Sequence, residues 1–162
     1  MYNYIGILNK SSAVTKAVTC NFLNREKPNL ILAKGNIIEI YNINNDGLES
    51  TPYLNVYGKI ILLEKIPAEI SSTYNNTISG DNLFILTEDL DFEILSYNKS
   101  RNEIVNIDKG SVKEDIGKRQ EKVHAVFEAN FEYVVISAYK NIFKIVFLKK
   151  RNKNEMFIKI LR

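Results

Sequence analysis

The sequence has little of the side-chain chemistry that catalytic and metal sites need. Its 162 residues include one cysteine, Cys20, and one histidine, His124. A single cysteine excludes an internal disulfide and a thiolate metal cluster, and a single histidine leaves no pair for a histidine-based metal site or nucleophile relay. Cys20 lies in an alternating apolar segment, where it is more often a small packing residue than a nucleophile. We therefore expect no catalytic residue, no cofactor and no metal, and so no enzyme activity.

The sequence also lacks a segment that would direct the chain to a membrane. No apolar run approaches the roughly 18 residues that span a bilayer. Residues 1–10 lack the basic region and the apolar core of a signal peptide. We expect an intracellular, soluble protein with no membrane partner.

The charged residues do not indicate a polyanion-binding face. Formal net charge is +3, from 22 basic and 19 acidic residues, and these are spread along the chain, whereas nucleic-acid-binding domains concentrate their basic residues. The basic runs at 118–122 and 149–153 lie between predicted strands, where such runs are usually solvated, with an anion site as the alternative. The acidic pairs at 88–89 and 114–115 lie in loops, where solubilising residues are commoner than acid–base pairs.

A segment that occurs three times dominates what the sequence does contain. The copies begin at residues 29, 82 and 132 and read NLILAKGNIIEIYNI, NLFILTEDLDFEILSY and EYVVISAYKNIFKIVFL. Each copy is an apolar run of strand length, a short polar break and a second run. Self-similarity at a period of about 40–50 residues is typical of propeller blades, and Ile, Val, Phe and Tyr suit a pleated sheet. The pattern predicts an all-β fold in which each copy is the central hairpin of one blade.

Flanking runs complete three predicted units of four antiparallel strands, at about residues 10–56, 57–108 and 123–162, or twelve to thirteen strands. Long polar loops are predicted at 68–80 and 108–122, and loops of this length are either disordered or contact something. Propellers close at about four to eight blades. Three units therefore predict a β-propeller fragment, the N-terminal part of a longer domain. The alternative is a complete twelve-stranded sandwich or barrel.

Several stretches, taken in order, carry a likeness to a known family. They are YNYIGILNKSSAVTKAVTCNF, NLILAKGNIIEIYNI with its NDGL turn, NVYGKIILLE, LFILT followed by EILSY, GSVKEDIGKR and YKNIFKIVFL. Together they resemble the N-terminus of the damaged-DNA-binding protein 1 family, over essentially the whole chain. The resemblance implies the first blades of the first of three propellers.

The resemblance implies a scaffold in DNA repair and protein ubiquitination, in the nucleus and the cytoplasm. Family members act as the adaptor that links WD-repeat substrate receptors to cullin 4 ubiquitin ligases. Receptors bind between the first and third propellers and the cullin binds the second. We therefore expect WD-repeat receptors as partners, cullin 4 contacts only through parts absent from this chain, and nucleic acid only indirectly. The alternative is a scaffold subunit of an RNA-processing complex, in splicing or polyadenylation, of the same superfamily.

One loop is the predicted partner contact. It mixes charge, one aliphatic residue and one glycine, and it comprises Glu114, Asp115, Ile116, Gly117, Lys118 and Arg119. Function tends to lie on loops held by a rigid scaffold, and interfaces concentrate binding energy in a few anchors. We expect Ile116 and Arg119 to matter more than Lys113. The alternative is a plain surface loop.

Overall fold

The computed structural model describes residues 12–51, 53–68, 80–148 and 158–161. Most of the predicted loop at 68–80 and the whole basic run at 149–153 lie outside the described residues. Those residues form thirteen strands: β1 (Lys16–Cys20), β2 (Asn29–Lys34), β3 (Ile37–Asn44), β4 (Gly47–Ser50), β5 (Leu54–Asn55), β6 (Ile60–Ile66), β7 (Asn82–Thr87), β8 (Asp91–Asn98), β9 (Glu103–Ser111), β10 (Arg119–Phe127), β11 (Tyr133–Tyr139), β12 (Ile142–Phe147) and β13 (Ile158–Leu161).

The strands form three antiparallel sheets that follow one another along the chain. Sheet A has the order β1-β2-β3-β4, sheet B has β6-β7-β8-β9, and sheet C has β10-β11-β12-β13. The short β5 also pairs with β3, next to the residues that pair with β4, so β4 and β5 share the fourth-strand position of sheet A. Neighbours in sequence are thus neighbours in space, as in propeller blades. The predicted all-β fold of three blade-like sheets is confirmed.

The polar break in each repeated segment forms the turn between the second and third strands of its sheet. Gly35, Leu90 and Asn141 occupy the left-handed region in these turns, with φ of 65°, 65° and 60°. Glycine adopts this conformation freely and asparagine tolerates it. Leu90 has neither advantage, but its side chain is 1% exposed in the core. Its burial, worth roughly 1.5–3 kcal/mol for a leucine, offsets the backbone strain.

The core consists of two apolar clusters, one joining sheets A and B and the other joining sheets B and C. Strand β7 contributes to both, because sheet B lies between the other two sheets. Leu83 and Ile85 pack in the first cluster, and Phe84 and Leu86 pack in the second. All six residues of β7 are buried, which explains why its sequence is a continuous apolar run and does not alternate.

Strands β9 and β10 are longer than the sequence indicated. β9 continues to Ser111 and β10 begins at Arg119, so the connection expected at 108–122 shrinks to 112–118. Both strands contain only exposed and partly buried residues, and their polar residues resembled loop in the sequence. Gly110, within β9, pairs with Phe92, and the position favours glycine because a Cβ there would lie 2.6 Å from Cζ of the Phe92 ring.

Candidate protein-interaction surface

One end of the three sheets carries the turns between the second and third strands and the connections between sheets, and we call it the turn end. It comprises residues 35–36, 56–59, 88–90, 112–118 and 140–141. Backbone hydrogen bonds join these segments: the N–H of Glu88 donates to the carbonyl of Lys59 at 2.7 Å, and the N–H of Lys140 donates to the carbonyl of Lys118 at 2.9 Å. The connections are therefore fastened to the turns beside them. The predicted partner loop lies at this end.

A buried ion pair holds the connection 112–118 against sheet C. The Nζ of Lys144, a residue that is 5% exposed, lies 2.9 Å from Oε2 of Glu114 and donates to the carbonyl oxygen of Lys113 at 2.8 Å. The N–H of Glu114 donates to the Tyr139 hydroxyl at 3.0 Å. A buried ammonium is tolerated only when it is paired and hydrogen-bonded. Glu114 therefore has a structural contact within the chain.

Gly117 brings the same connection close to the end of sheet C. A Cβ at this position would lie 3.1 Å from Cδ1 of Ile142 and 3.2 Å from Cδ1 of Tyr139. These are tighter than ordinary van der Waals contacts. The glycine thus lets the backbone rest on the two side chains, while the neighbouring Ile116 is 77% exposed.

Of the other three predicted residues, two lie on the surface of the turn end and Arg119 lies directly beside it. Asp115, Lys118 and Arg119 are exposed. The guanidinium of Arg119, the first residue of β10, also donates to the carbonyl oxygen of Glu88 in the turn of sheet B. The structure thus brings all six predicted residues together. Ile116 is the one large apolar side chain among them, and whether they bind a partner stays a prediction.

Lys113, which we expected to matter less for partner binding than Ile116 and Arg119, forms an exposed ion pair. Its Nζ lies 2.9 Å from Oδ2 of Asp91. The hydrogen bond from the ammonium lowers the pKa of Asp91, and the bond to the carboxylate raises the pKa of Lys113. The side chains are 55% and 40% exposed, so solvent screens the pair and it stabilises the fold little.

The first strands of the three sheets face a cleft of about 340 Å³ beside Arg119, which the sequence did not indicate. The pairing of β10 with β11 is interrupted, because the register shifts between Arg119 and His124. The Nε2 of Gln120 donates to the Tyr139 carbonyl at 2.8 Å and to the Ser137 hydroxyl at 2.9 Å, bonds that compensate for the interrupted ladder. The polar run Arg119–Lys122 was the only signal in the sequence for this interruption of the strand.

The charges at this cleft have both signs. Lys16, Arg119 and Lys122 line it together with Glu88 and Glu121. An anion would therefore meet carboxylates as well as cations, and the cleft lacks the single-sign field that concentrates anions. The arrangement does not favour the anion-site alternative for the basic run at 118–122.

Cys20 and His124, for which we expected no catalytic role, both lie within strands. Cys20 is 4% exposed, and burial raises the pKa of its thiol to about 12, so the thiol stays protonated and packs in the core. His124 lies within β10, opposite Ser137. Among the described residues, no group of three His, Cys, Asp or Glu side chains is placed to hold a metal ion. None of those residues forms a helix long and apolar enough to span a membrane.

Tyr57 is an exposed residue of the turn end that sequence reasoning missed. It lies in the connection 56–59 and is 89% exposed. The signal was available in the sequence, because Tyr57-Gly58-Lys59 and Ile116-Gly117-Lys118 have the same apolar–Gly–Lys pattern.

Comparison with known proteins gives one matching family model and several similar relatives. The family model described as the RSE1/DDB1/CPSF1 first β-propeller matches residues 13–160. The DNA damage-binding protein 1 of Oryza sativa subsp. japonica is 28% identical over 147 residues, covering 90% of this chain and 13% of that protein. The DNA damage-binding protein 1a of Arabidopsis thaliana is 27% identical over 146 residues, with the same coverage. The chain thus spans about 13% of the length of these relatives.

Proposed function

The chain belongs to the RSE1/DDB1/CPSF1 first β-propeller family, and we propose on that basis that it is a protein–protein interaction scaffold. In this proposal it resembles the adaptor that links substrate receptors to a cullin 4 ubiquitin ligase, in DNA repair and protein ubiquitination, and it performs no catalysis. The match over residues 13–160 carries the proposal, because it includes all three sheets.

The proposed partners of this chain are WD-repeat substrate receptors. They bind at the turn end, with Ile116 as the apolar anchor and Arg119 beside it. The ion pair between Lys144 and Glu114 supports this role, because it holds the connection in one conformation before a partner arrives. A preorganised loop loses little conformational entropy on binding. Cullin 4 binds through parts of the protein outside this chain. The protein contacts nucleic acid only through a receptor. It acts in the nucleus and the cytoplasm.

A scaffold in an RNA-processing complex is the second candidate. The matching family description names RSE1 and CPSF1 beside DDB1, so the blades alone are compatible with either role. Five relatives at 25–28% identity carry the name DNA damage-binding protein 1, 1a or 1b. These names favour the adaptor.

Affinity purification of the protein at its native level, followed by mass spectrometry, tests the proposal. We expect a cullin and WD-repeat proteins among the partners. If splicing or cleavage factors co-purify in their place, the second candidate is established. If neither group of proteins co-purifies, both candidates are contradicted.

A matched pair of variants then tests the surface. Ile116→Asp combined with Arg119→Glu is expected to weaken receptor affinity at least tenfold. The control is Leu48→Asp combined with Lys99→Glu, two exposed residues outside the turn end, which should leave the affinity within about twofold. Equal affinities for the two double variants would remove the turn end from the proposal.

A further inference from the structure

A cavity of about 470 Å³ opens between sheets A and B, and it is larger than the cleft beside Arg119. Its volume is within the range of small-molecule sites. The described residues that line it are Leu23, Ile40, Asn42, Thr51, Tyr53, Leu54, Tyr97, Asn102 and Ile104. None of these belongs to the turn end, so the cavity is separate from the proposed partner surface.

The cavity lies beside a break in the fourth strand of sheet A. β4 ends at Ser50 and β5 begins at Leu54, whereas the fourth strand of sheet B, β9, continues for nine residues. Both the N–H and the hydroxyl of Thr51 donate to the carbonyl of Ile40, at 2.9 and 2.8 Å. The break therefore borders the cavity without leaving this buried backbone acceptor unpaired.

The walls of the cavity are apolar and aromatic. Tyr53 is 48% exposed, and Tyr97 is half-buried, with its ring centroid 6.4 Å from that of Phe22. None of the described lining residues carries a charge at neutral pH, although charged residues make up 25% of the chain. An ion would lose hydration in such a cavity without finding a counter-charge. The lining therefore favours an uncharged ligand with a flat apolar body, which can stack on the tyrosine rings.

A chain of hydrogen bonds leaves one donor free at the cavity. The N–H of Leu23 donates to Oδ1 of Asn29 at 2.9 Å. Because a backbone N–H can only donate, this bond fixes the orientation of the Asn29 amide, and its Nδ2 donates to Oδ1 of Asn42 at 2.9 Å. The Nδ2 of Asn42 then remains as a donor, and it forms no hydrogen bond with any residue in the described ranges. A ligand that satisfies it must supply an acceptor.

We propose that this cavity binds an uncharged small molecule that has a flat apolar body and a carbonyl oxygen. The apolar body packs against Tyr53 and Tyr97, and the carbonyl oxygen accepts a hydrogen bond from Nδ2 of Asn42. This inference does not depend on the proposed scaffold function, which concerns the turn end.

Titration with three probes, followed by NMR of the isotope-labelled protein, tests the inference. Acetophenone has a flat ring and a carbonyl oxygen but no donor, whereas benzoate and benzylammonium carry a charge on a similar ring. We expect acetophenone to shift the side-chain amide signal of Asn42 and the backbone signals of Leu54, Tyr97 and Ile104. The shifts should saturate with a dissociation constant of roughly 1 mM, as for a ligand of this size.

Benzoate and benzylammonium should bind at least about tenfold more weakly than acetophenone, because each would bury a charge. If acetophenone gives no saturable shift at these residues, or if the three probes bind equally well, the inference is wrong.

The substitution Asn42→Asp tests the hydrogen bond with little change of shape. It keeps an oxygen for the Nδ2 of Asn29 and replaces the free donor by a carboxylate oxygen. Acetophenone should bind at least about tenfold more weakly to this variant, because two acceptors then face each other. Benzylammonium should bind more tightly than to the original protein, because its ammonium donates to the carboxylate. An unchanged affinity for acetophenone would overturn the inference.

A second substitution fills the cavity. Ile104→Phe adds a ring among the lining residues and should abolish acetophenone binding. The control Val126→Phe adds a ring in sheet C, at a position that is 68% exposed, and should leave the affinity unchanged. Unchanged backbone signals of β7 would show that each variant is folded. Retained binding by folded Ile104→Phe would contradict the inference, and if that variant does not fold, Asn42→Asp decides.

Discussion

Removal of the Lys144 ammonium should release the connection 112–118 from sheet C. The side chains of Lys144 and Glu114 are 7% and 12% exposed, so Lys144→Ala removes the ammonium that lies against a largely buried carboxylate. It also leaves the carbonyl oxygen of Lys113 without its donor. Breaking one partner of a buried pair costs about 3–5 kcal/mol. Because the pair lies near the surface of the turn end, we expect the lower limit, about 3 kcal/mol, for local opening.

Amide hydrogen exchange in the intact protein measures this opening. The N–H of Glu114, which donates to the Tyr139 hydroxyl, is the most direct probe. A cost of about 3 kcal/mol corresponds to roughly a hundredfold faster exchange, since each 1.4 kcal/mol is a factor of ten. Amides of β7 should not change, because the opening is local.

A double-mutant cycle isolates the pair from side effects of either substitution. The cycle of Lys144→Met, Glu114→Leu and their combination should give a coupling energy of about 2–3 kcal/mol. The free energy of unfolding of the double variant should be close to that of the unsubstituted protein, because neither charge is then buried alone. The control cycle uses Lys113 and Asp91, an exposed pair whose coupling should stay below about 1 kcal/mol. Exchange at Glu114 less than threefold faster in Lys144→Ala, or equal coupling in the two cycles, would refute the reasoning.

Three further predictions concern stability and reactivity. Gly110→Ala should lower the thermal unfolding midpoint in calorimetry, because the new Cβ meets the Phe92 ring at 2.6 Å and overpacking costs about 1–3 kcal/mol; an unchanged midpoint would contradict this. The lowered pKa of Asp91 gives a stabilisation that is present above its unfolded pKa of about 3.9 and is lost as pH falls through the folded value. Stability measured between pH 5 and 2 should therefore fall less in Asp91→Asn than in the original, and identical slopes would argue against the pair. Cys20, with a pKa of about 12, should resist iodoacetamide at pH 8 and react rapidly once urea unfolds the protein; fast labelling of the folded protein would show that the thiol is accessible.

Much of the fold could be predicted because the information is local. The three copies of the apolar–break–apolar segment specify strands, and their polar breaks became the turns at Gly35, Leu90 and Asn141. The second apolar run of the third copy forms β12, Ile142–Phe147, because apolar residues there follow directly on a tight turn. Strand ends were harder to predict where polar residues continue a strand, as in β9 and β10, since exposed strands and loops have similar compositions.

The sequence by itself determined the repeat, the all-β class and the position of the loop 114–119. Only the tertiary structure decided what the residues of that loop contact. Lys144 reads as one polar residue in an apolar strand, and its pairing with Glu114, thirty positions earlier, depends on how sheet C packs against the connection. The free donor of Asn42 likewise depends on its hydrogen bond with Asn29. Local patterns encode strands and turns, whereas contacts between distant segments are set by the packing of one sheet on the next.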